Sequence, residues 1–174
     1  FSGDFGRGRR IVANGAVILD ADGRHDDGWS ATMATDMAPY QEAFGEVVEK
    51  AAEHAGRAGH RLKVTVTSEF GMSISAVFSV PDGSHWLLGS VREAIGDFGG
   101  WHTHLNGNTL ALTPPPVSKR RAVLHLLSSI PNARLRPVIG FGDSLSDLGF
   151  MSGCDFISTP SGSQISSALA CQGE

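Results

Sequence analysis

The 174-residue chain has only two cysteines, Cys154 and Cys171, and a single tyrosine. Two thiols are far too few for a disulfide framework, which rules out a small secreted scaffold held by bridges. One isolated bridge stays open beside the expectation of two buried thiols in a reducing cytoplasm. Charged residues make up 18% of the chain and the net charge is −4. The basic residues form no long run, so the electrostatic footprint of a nucleic-acid partner is missing. No apolar stretch approaches the ~20 residues that span a bilayer, and no membrane partner is expected. No basic-then-apolar leader pattern opens the chain, so nothing signals secretion. An initiator Met is lacking too: the chain opens on Phe1 and runs to Arg10 as a Gly/Arg-rich stretch without periodicity, read as a loop or a cut end.

What is present is a 41% hydrophobic chain, which reads as globular. Its length suits one domain with a real core, or two small ones. Ile11 to Leu19 reads as strand, turn at Asn14-Gly15, and strand, leading to an Asp22-Gly23 turn. Asp36 to Gly59 is the strongest helix, with Tyr40, Phe44, Val47, Val48, Ala51, Ala52 and Ala55 on one face and Pro39 in the first turn. Leu62–Thr67 and Ile74–Val80 alternate as strands, the second closed by Pro81-Asp82-Gly83. Ser90–Phe98 reads as a short helix before Gly99-Gly100, and Trp101–Leu105 with Thr109–Thr113 as a hairpin across Asn106-Gly107-Asn108. The middle of the chain is therefore a compact α+β unit of four strands, one long helix and one short one. Trp86 and Trp101 are expected to pack on its sheet, one of them in position to line a cleft. His102 and His104 share a strand face, but no third ligand stands at a metal-site spacing, so a solvated face is expected.

After the stiff Thr113-Pro114-Pro115-Pro116 break, Ser118 is the expected N-cap of a helix from Val117 to Ile130, with Val123, Leu124, Leu126 and Leu127 on its apolar side. Lys119 falls in its first turn, where the helix dipole disfavours a cation, which hints at a task for it. Leu135–Phe141 and Cys154–Thr159 read as further strands, and a short helix follows Ser161-Gly162-Ser163. This order suggests a parallel sheet with crossovers.

The densest chemistry lies at Gly142-Asp143-Ser144-Leu145-Ser146-Asp147. An apolar strand ends there at a glycine that lets the backbone turn. Asp143 and Asp147 then sit at the carboxyl end of a strand, where open α/β sheets place ligands. Two carboxylates suit a hard cation such as Mg²⁺. The plain alternative is an Asp that caps the following helix.

Two families resemble this stretch. Phe141 to Asp147 is similar to the nucleophile block of GDSL esterases, with Ser144 as the attacking group. It is also similar to the fourth motif of the haloacid dehalogenase (HAD) superfamily, whose acids hold Mg²⁺ for phosphoryl transfer. An esterase serine needs a histidine base, yet His125 is the last histidine in the chain. The HAD resemblance gains on both sides. Lys119 resembles the third-motif lysine, at the start of the helix that leads into the Asp143 strand. Ile11-Val12-Ala13-Asn14-Gly15-Ala16 resembles the Ile-Ala-x-Asn-Gly-Ala strand of Cof-type and sucrose-phosphatase-like HAD phosphatases with a large inserted cap. Cys154 to Ile165 resembles the strand and loop after the fourth motif.

The resemblance implies an α/β fold: a partial HAD-like, Rossmann-type parallel-sheet core with an inserted α+β cap. Residues 1–27 would be a remnant of the core, 28–112 the cap, and 113–174 the carboxyl-terminal part of the core. It implies a Mg²⁺-dependent phosphatase for a small phosphate monoester, such as a sugar phosphate. Asp143 and Asp147 would be the metal ligands, Lys119 the catalytic cation on the phosphoryl group, and Ser144 a phosphate or substrate contact. Gly162, Ser163 and Gln164 would border the site or form a plain turn. The family's nucleophile motif has no counterpart. Ala16 to Gly23 mimics it, but Arg24 stands where Thr or Val belongs, so Asp20 and Asp22 read as a solvated turn. The expectation is a fragment without its nucleophile, inactive alone. The rival is a degenerate HAD-like domain kept for binding.

Overall fold

The computed structural model describes residues 8–96, 100–131 and 137–170. The chain divides into two compact units. One is Ser30–Val117; the other combines the chain up to Trp29 with the chain from Ser118 onward.

In the Ser30–Val117 unit, β3 (Lys63–Glu69), β4 (Met72–Ser79), β5 (His102–Asn106) and β6 (Thr109–Thr113) form an antiparallel sheet of order β3-β4-β6-β5. Register sets Val64 opposite Phe78, Phe78 opposite Leu110 and Ala76 opposite Leu112. Alternation along β4 and β6 thus sends Ala76, Phe78, Leu110 and Leu112 to one face, where all four are fully buried. Helix α2 (Gln41–Arg57) covers them with Phe44, Val47, Ala51 and Ala55, and α3 (Trp86–Ile95) with Leu87, Leu88, Val91 and Ile95. Trp101 joins this core, 5.5 Å from the Phe44 ring. At the β3–β4 turn Phe70 and Gly71 both have positive φ, 54° and 73°, the geometry that matches the right-handed twist of a tight hairpin.

Three expectations are corrected here. Asp36 to Gly59 is not one helix. A helix α1 (Asp27–Met37) ends, a 3₁₀ turn Ala38–Tyr40 holds Pro39, and α2 begins at Gln41. Proline lacks the N–H that a continuous helix needs at that point. Trp29, Met33 and Met37, four residues apart on α1, are buried, while Ala52 on α2 is exposed. Helix α3 starts four residues before Ser90, because its buried stripe begins at Leu87; Phe98 and Gly99 lie outside the described residues. Trp86 is 67% exposed instead of packed in the sheet, its ring edge-on to His60.

In the other unit, β1 (Arg10–Val12) and β2 (Val17–Leu19) form an antiparallel hairpin around the 3₁₀ turn Ala13–Gly15. Helix α4 (Lys119–Ser129) begins at Ser118, whose side chain accepts the N–H of Arg121, as the N-cap rule expects. Its buried residue is Ala122, whereas Leu124, expected on the apolar side, is exposed. The parallel sheet consists of β7 (Ile139–Phe141) and β8 (Phe156–Ser158), joined by the short α5 (Leu148–Met151), with α6 (Gln164–Ala170) after β8. Leu135 and Arg136, read as the start of the β7 strand, lie outside the described residues, as does Cys171. Ile139, Phe141, Phe156 and Ile157 are 54%, 70%, 62% and 57% exposed. Parallel sheets are ordinarily covered on both faces, so this pair is bare for its class. Among the described residues no helix is long and apolar enough to cross a membrane.

Candidate functional site

The site is built at the end of β7. Gly140 and Gly142 are there because side chains are not accommodated. A Cβ on Gly142 would lie 2.5 Å from Met151 Sδ and 2.7 Å from Asp147 Cβ, and one on Gly140 would lie 2.9 Å from Cys154 Sγ. The strand can therefore pass close under α5 and release the chain into the Asp143–Asp147 loop. The Gly142 N–H still donates to Ser158 O at 3.2 Å, so the loop starts from a paired backbone. Cys154 is half-buried, and its burial beside Asp155 pushes the thiol up from its ordinary value, making it a packing group and not a nucleophile.

The loop is a capping box. The Ser144 N–H donates to Asp147 Oδ2 at 3.3 Å, and the Ser144 side chain accepts in return. Asp147 is 7% exposed. Its other oxygen, Oδ1, accepts from Lys119 Nζ at 2.7 Å. Burial works to raise the Asp147 carboxyl, but the hydrogen bond from Lys119, the N–H groups of Ser144 and Asp143 and the lysine charge outweigh it, so it is held below the ordinary aspartate value. Asp143 differs: it is exposed, and no described residue engages its carboxylate. Its carbonyl accepts from Ile165 N at 3.3 Å. Gln164 Oε1 accepts from Ser144 Oγ at 3.2 Å and Leu145 N at 3.3 Å, which ties the loop to α6.

Lys119 and Asp147 line a cleft of about 350 Å³ with Ile11, Asn14, Gly15, Val123 and Phe150. The four sequence-predicted residues thus stand in three situations. Lys119 and Asp147 are joined, Ser144 is a loop cap that hydrogen-bonds Ser146 and Gln164, and Asp143 projects freely. Both Asp147 oxygens are occupied by donors, so a metal on either would displace one. Asp143 alone offers an open carboxylate, and Mg²⁺ accepts one or two carboxylates with water and phosphate completing its shell. A Mg²⁺ ion here would have Asp143 as its one open carboxylate, with water and phosphate as the remaining ligands. Among the described residues no group of three or more His, Cys, Asp or Glu side chains could hold a metal. His102 and His104 are exposed on β5.

Asp20 Oδ1 accepts the N–H groups of Asp22 at 2.9 Å and Arg24 at 2.8 Å, which is the self-contained turn expected of it. Sequence reasoning missed Trp29. It is 3% exposed, and its indole Nε1–H is shared between Gly15 O and Ala16 O, each at 3.1 Å. The one signal for it was the Trp29, Met33, Met37 spacing.

No protein-family model matches the chain, and no curated protein does. Among solved structures it resembles a haloacid dehalogenase-like hydrolase from Bacteroides thetaiotaomicron, with a TM-score of 0.54 and 13% identity over 95% of this chain and 76% of that one. The fold is haloacid dehalogenase-like. A trehalose-6-phosphate phosphatase related protein is also similar, at 14% identity over 95% of this chain and 74% of that one, but its TM-score of 0.43 is too slight to carry an argument. Identity this low speaks to fold and leaves activity to the site.

Proposed function

We propose that this chain is the cap and carboxyl-terminal core of a HAD-type phosphatase acting on a small phosphate monoester, with a sugar phosphate as one candidate. The observation that carries this reading is the Lys119–Asp147 pair at 2.7 Å on a cleft at the start of α4, beside a loop whose Asp143 carboxylate is open. A phosphoryl group in transfer needs fixed cations on its oxygens, and Lys119, held at the start of α4 by Asp147, provides one. Asp147 holds Lys119 in place and keeps its own charge in doing so. Asp143 is the residue that would hold Mg²⁺, which supplies charge neutralisation on the phosphoryl oxygens when bound.

The same reading makes the chain a part of the enzyme. Asp20 is engaged by its own turn, and no other described carboxylate lies with Lys119 in the cleft besides Asp147. Without a nucleophile no aspartyl-phosphate forms. The bare faces of β7 and β8 support an incomplete core. The binding-domain reading draws on the same absence, and differs only in whether a nucleophile strand exists to complete the site. The esterase reading loses further ground: Ser144 Oγ has Gln164 and Ser146 as partners and no imidazole.

The test is turnover of p-nitrophenyl phosphate with Mg²⁺. The 174-residue chain is expected to give no rate above the blank. A Mg²⁺-dependent rate that disappears in Asp143→Asn would show the core to be complete and return Asp20 and Asp22 to the role of nucleophile and acid.

A further inference from the structure

The structure assigns to Trp29, acting through the Ala13–Gly15 turn, the positioning of Lys119; the importance of that position rests on the phosphoryl site proposed above. Ala13, Asn14 and Gly15 have φ of 51°, 55° and 99°, three left-handed residues in a row, two of them with side chains. Such a run persists only where its surroundings over-determine it. Trp29 does so on one side. Its buried indole N–H is shared by the carbonyls of Gly15 and Ala16, and its own N–H is fixed by Asp26 Oδ1 at 2.9 Å.

On the other side the turn lies directly on the start of α4. A Cβ on Gly15 would fall 2.4 Å from the carbonyl carbon and oxygen of Ser118 and 2.7 Å from Lys119 N. Backbone meets backbone with no side chain between, so a shift of the turn is a shift of the peptide that carries Lys119. Trp29 also grips α4 further along, with its ring centroid 5.0 Å from that of His125 and the Arg121 guanidinium 5.8 Å from its own. A lysine stem is long and flexible. Fixing its Cα against the turn, and its ammonium against Asp147, leaves it one direction into the cleft. Trp29 does not itself line the cleft and reaches it through Gly15, so its effect on Lys119 is exerted through position.

Lys50, Lys63 and Lys119 are the only lysines in the chain. Competitive acetylation with acetic anhydride, read by mass spectrometry, therefore measures Lys119 against two internal references. Trp29→Phe keeps an aromatic ring and removes the indole N–H. It is expected to raise the Lys119 rate relative to Lys63 by about fivefold, equivalent to about 1 kcal/mol of coupling. Asp147→Asn, which frees the ammonium directly, is the positive control. A Lys119 rate unchanged in Trp29→Phe but raised in Asp147→Asn overturns the inference; unchanged in both overturns it together with the ion pair. Should Trp29→Phe fail to fold, the reciprocal measurement decides. Asp147→Asn must shift the indole N–H resonance of Trp29 and leave those of Trp86 and Trp101 in place, and a stationary Trp29 signal overturns the inference. Protection of Lys119 by inorganic phosphate in the unsubstituted chain reports on the proposed function separately: its absence counts against the phosphoryl site and not against the positioning.

Discussion

Replacing Asp147 with asparagine preserves shape and removes the charge that meets Lys119 at 2.7 Å. Breaking a fully buried pair costs about 3–5 kcal/mol, and exposed pairs are worth about 0.2–1 kcal/mol. This pair lies between the two, with side-chain exposures of 10% for Asp147 and 37% for Lys119. Lys119 can turn toward water once released, and the asparagine oxygen can still accept from Ser144. A pairwise coupling of about 1–2 kcal/mol is expected at neutral pH, weaker at high salt. The assay is a double-mutant cycle with Lys119→Met, following urea unfolding through hydrogen exchange in α4 peptides, because two units need not melt together. The pH dependence has a defined sign. Asp147 is held below the ordinary aspartate value of 3.8 in the folded chain. Its contribution is therefore complete above that value and is lost as pH falls through the depressed one. A coupling below about 0.3 kcal/mol at neutral pH, where additivity is normally met, or one that does not fade in acid, would refute this account of the loop.

Gly15→Ala is expected to cost about 2–4 kcal/mol, since its Cβ meets the Ser118 backbone at 2.4 Å and its φ is +99°. Gly45→Ala, in α2 with nothing within 4 Å of the new Cβ, should gain about 0.5–1 kcal/mol. Urea unfolding followed by hydrogen exchange in peptides of each glycine's own unit measures the two. Phe78→Ala, which empties the centre of the four-stranded sheet's core, should cost about 3–5 kcal/mol in the same assay. Trp86→Ala, at a side chain 67% exposed, should cost less than about 1 kcal/mol.

Local chemistry made much of the fold legible. The Asn106-Gly107 hairpin, the Ser118 cap and the Asp20 turn are decided by neighbours a few residues apart, and each forms as those residues dictate. The strands of the Ser30–Val117 unit follow from alternation alone. Helix α1 was not legible, because Trp29, Met33 and Met37 stand among Ala, Thr and Ser, and Pro39 fits the first turn of a helix as well as the break between two. Trp86 was misread because an aromatic beside Leu87 and Leu88 carries no mark of the face it takes. At the site, sequence could bring Lys119 and the Gly142–Asp147 loop into one functional group through family resemblance. It could not say which way Asp147 points. That acid is as good a metal ligand as Asp143 in composition, but its oxygens are claimed by Ser144 and by a lysine 28 residues away. The Trp29 clamp on Gly15 and Ala16 is likewise a tertiary contact with no periodic signature.

The central claim, a phosphoryl site made by Lys119 with Asp143 as the metal-holding acid, is tested most directly by titrating the ¹⁵N-labelled chain with inorganic phosphate, with and without Mg²⁺. The account predicts saturable shifts at the amides of Lys119 and Arg120 and in the Asp143–Asp147 loop, strengthened by Mg²⁺. Lys119→Met should abolish them, and Asp143→Asn should remove the Mg²⁺ effect while leaving the fold intact. Spectra in which phosphate leaves Lys119 unmoved, or in which Mg²⁺ acts equally with and without the Asp143 carboxylate, would contradict it.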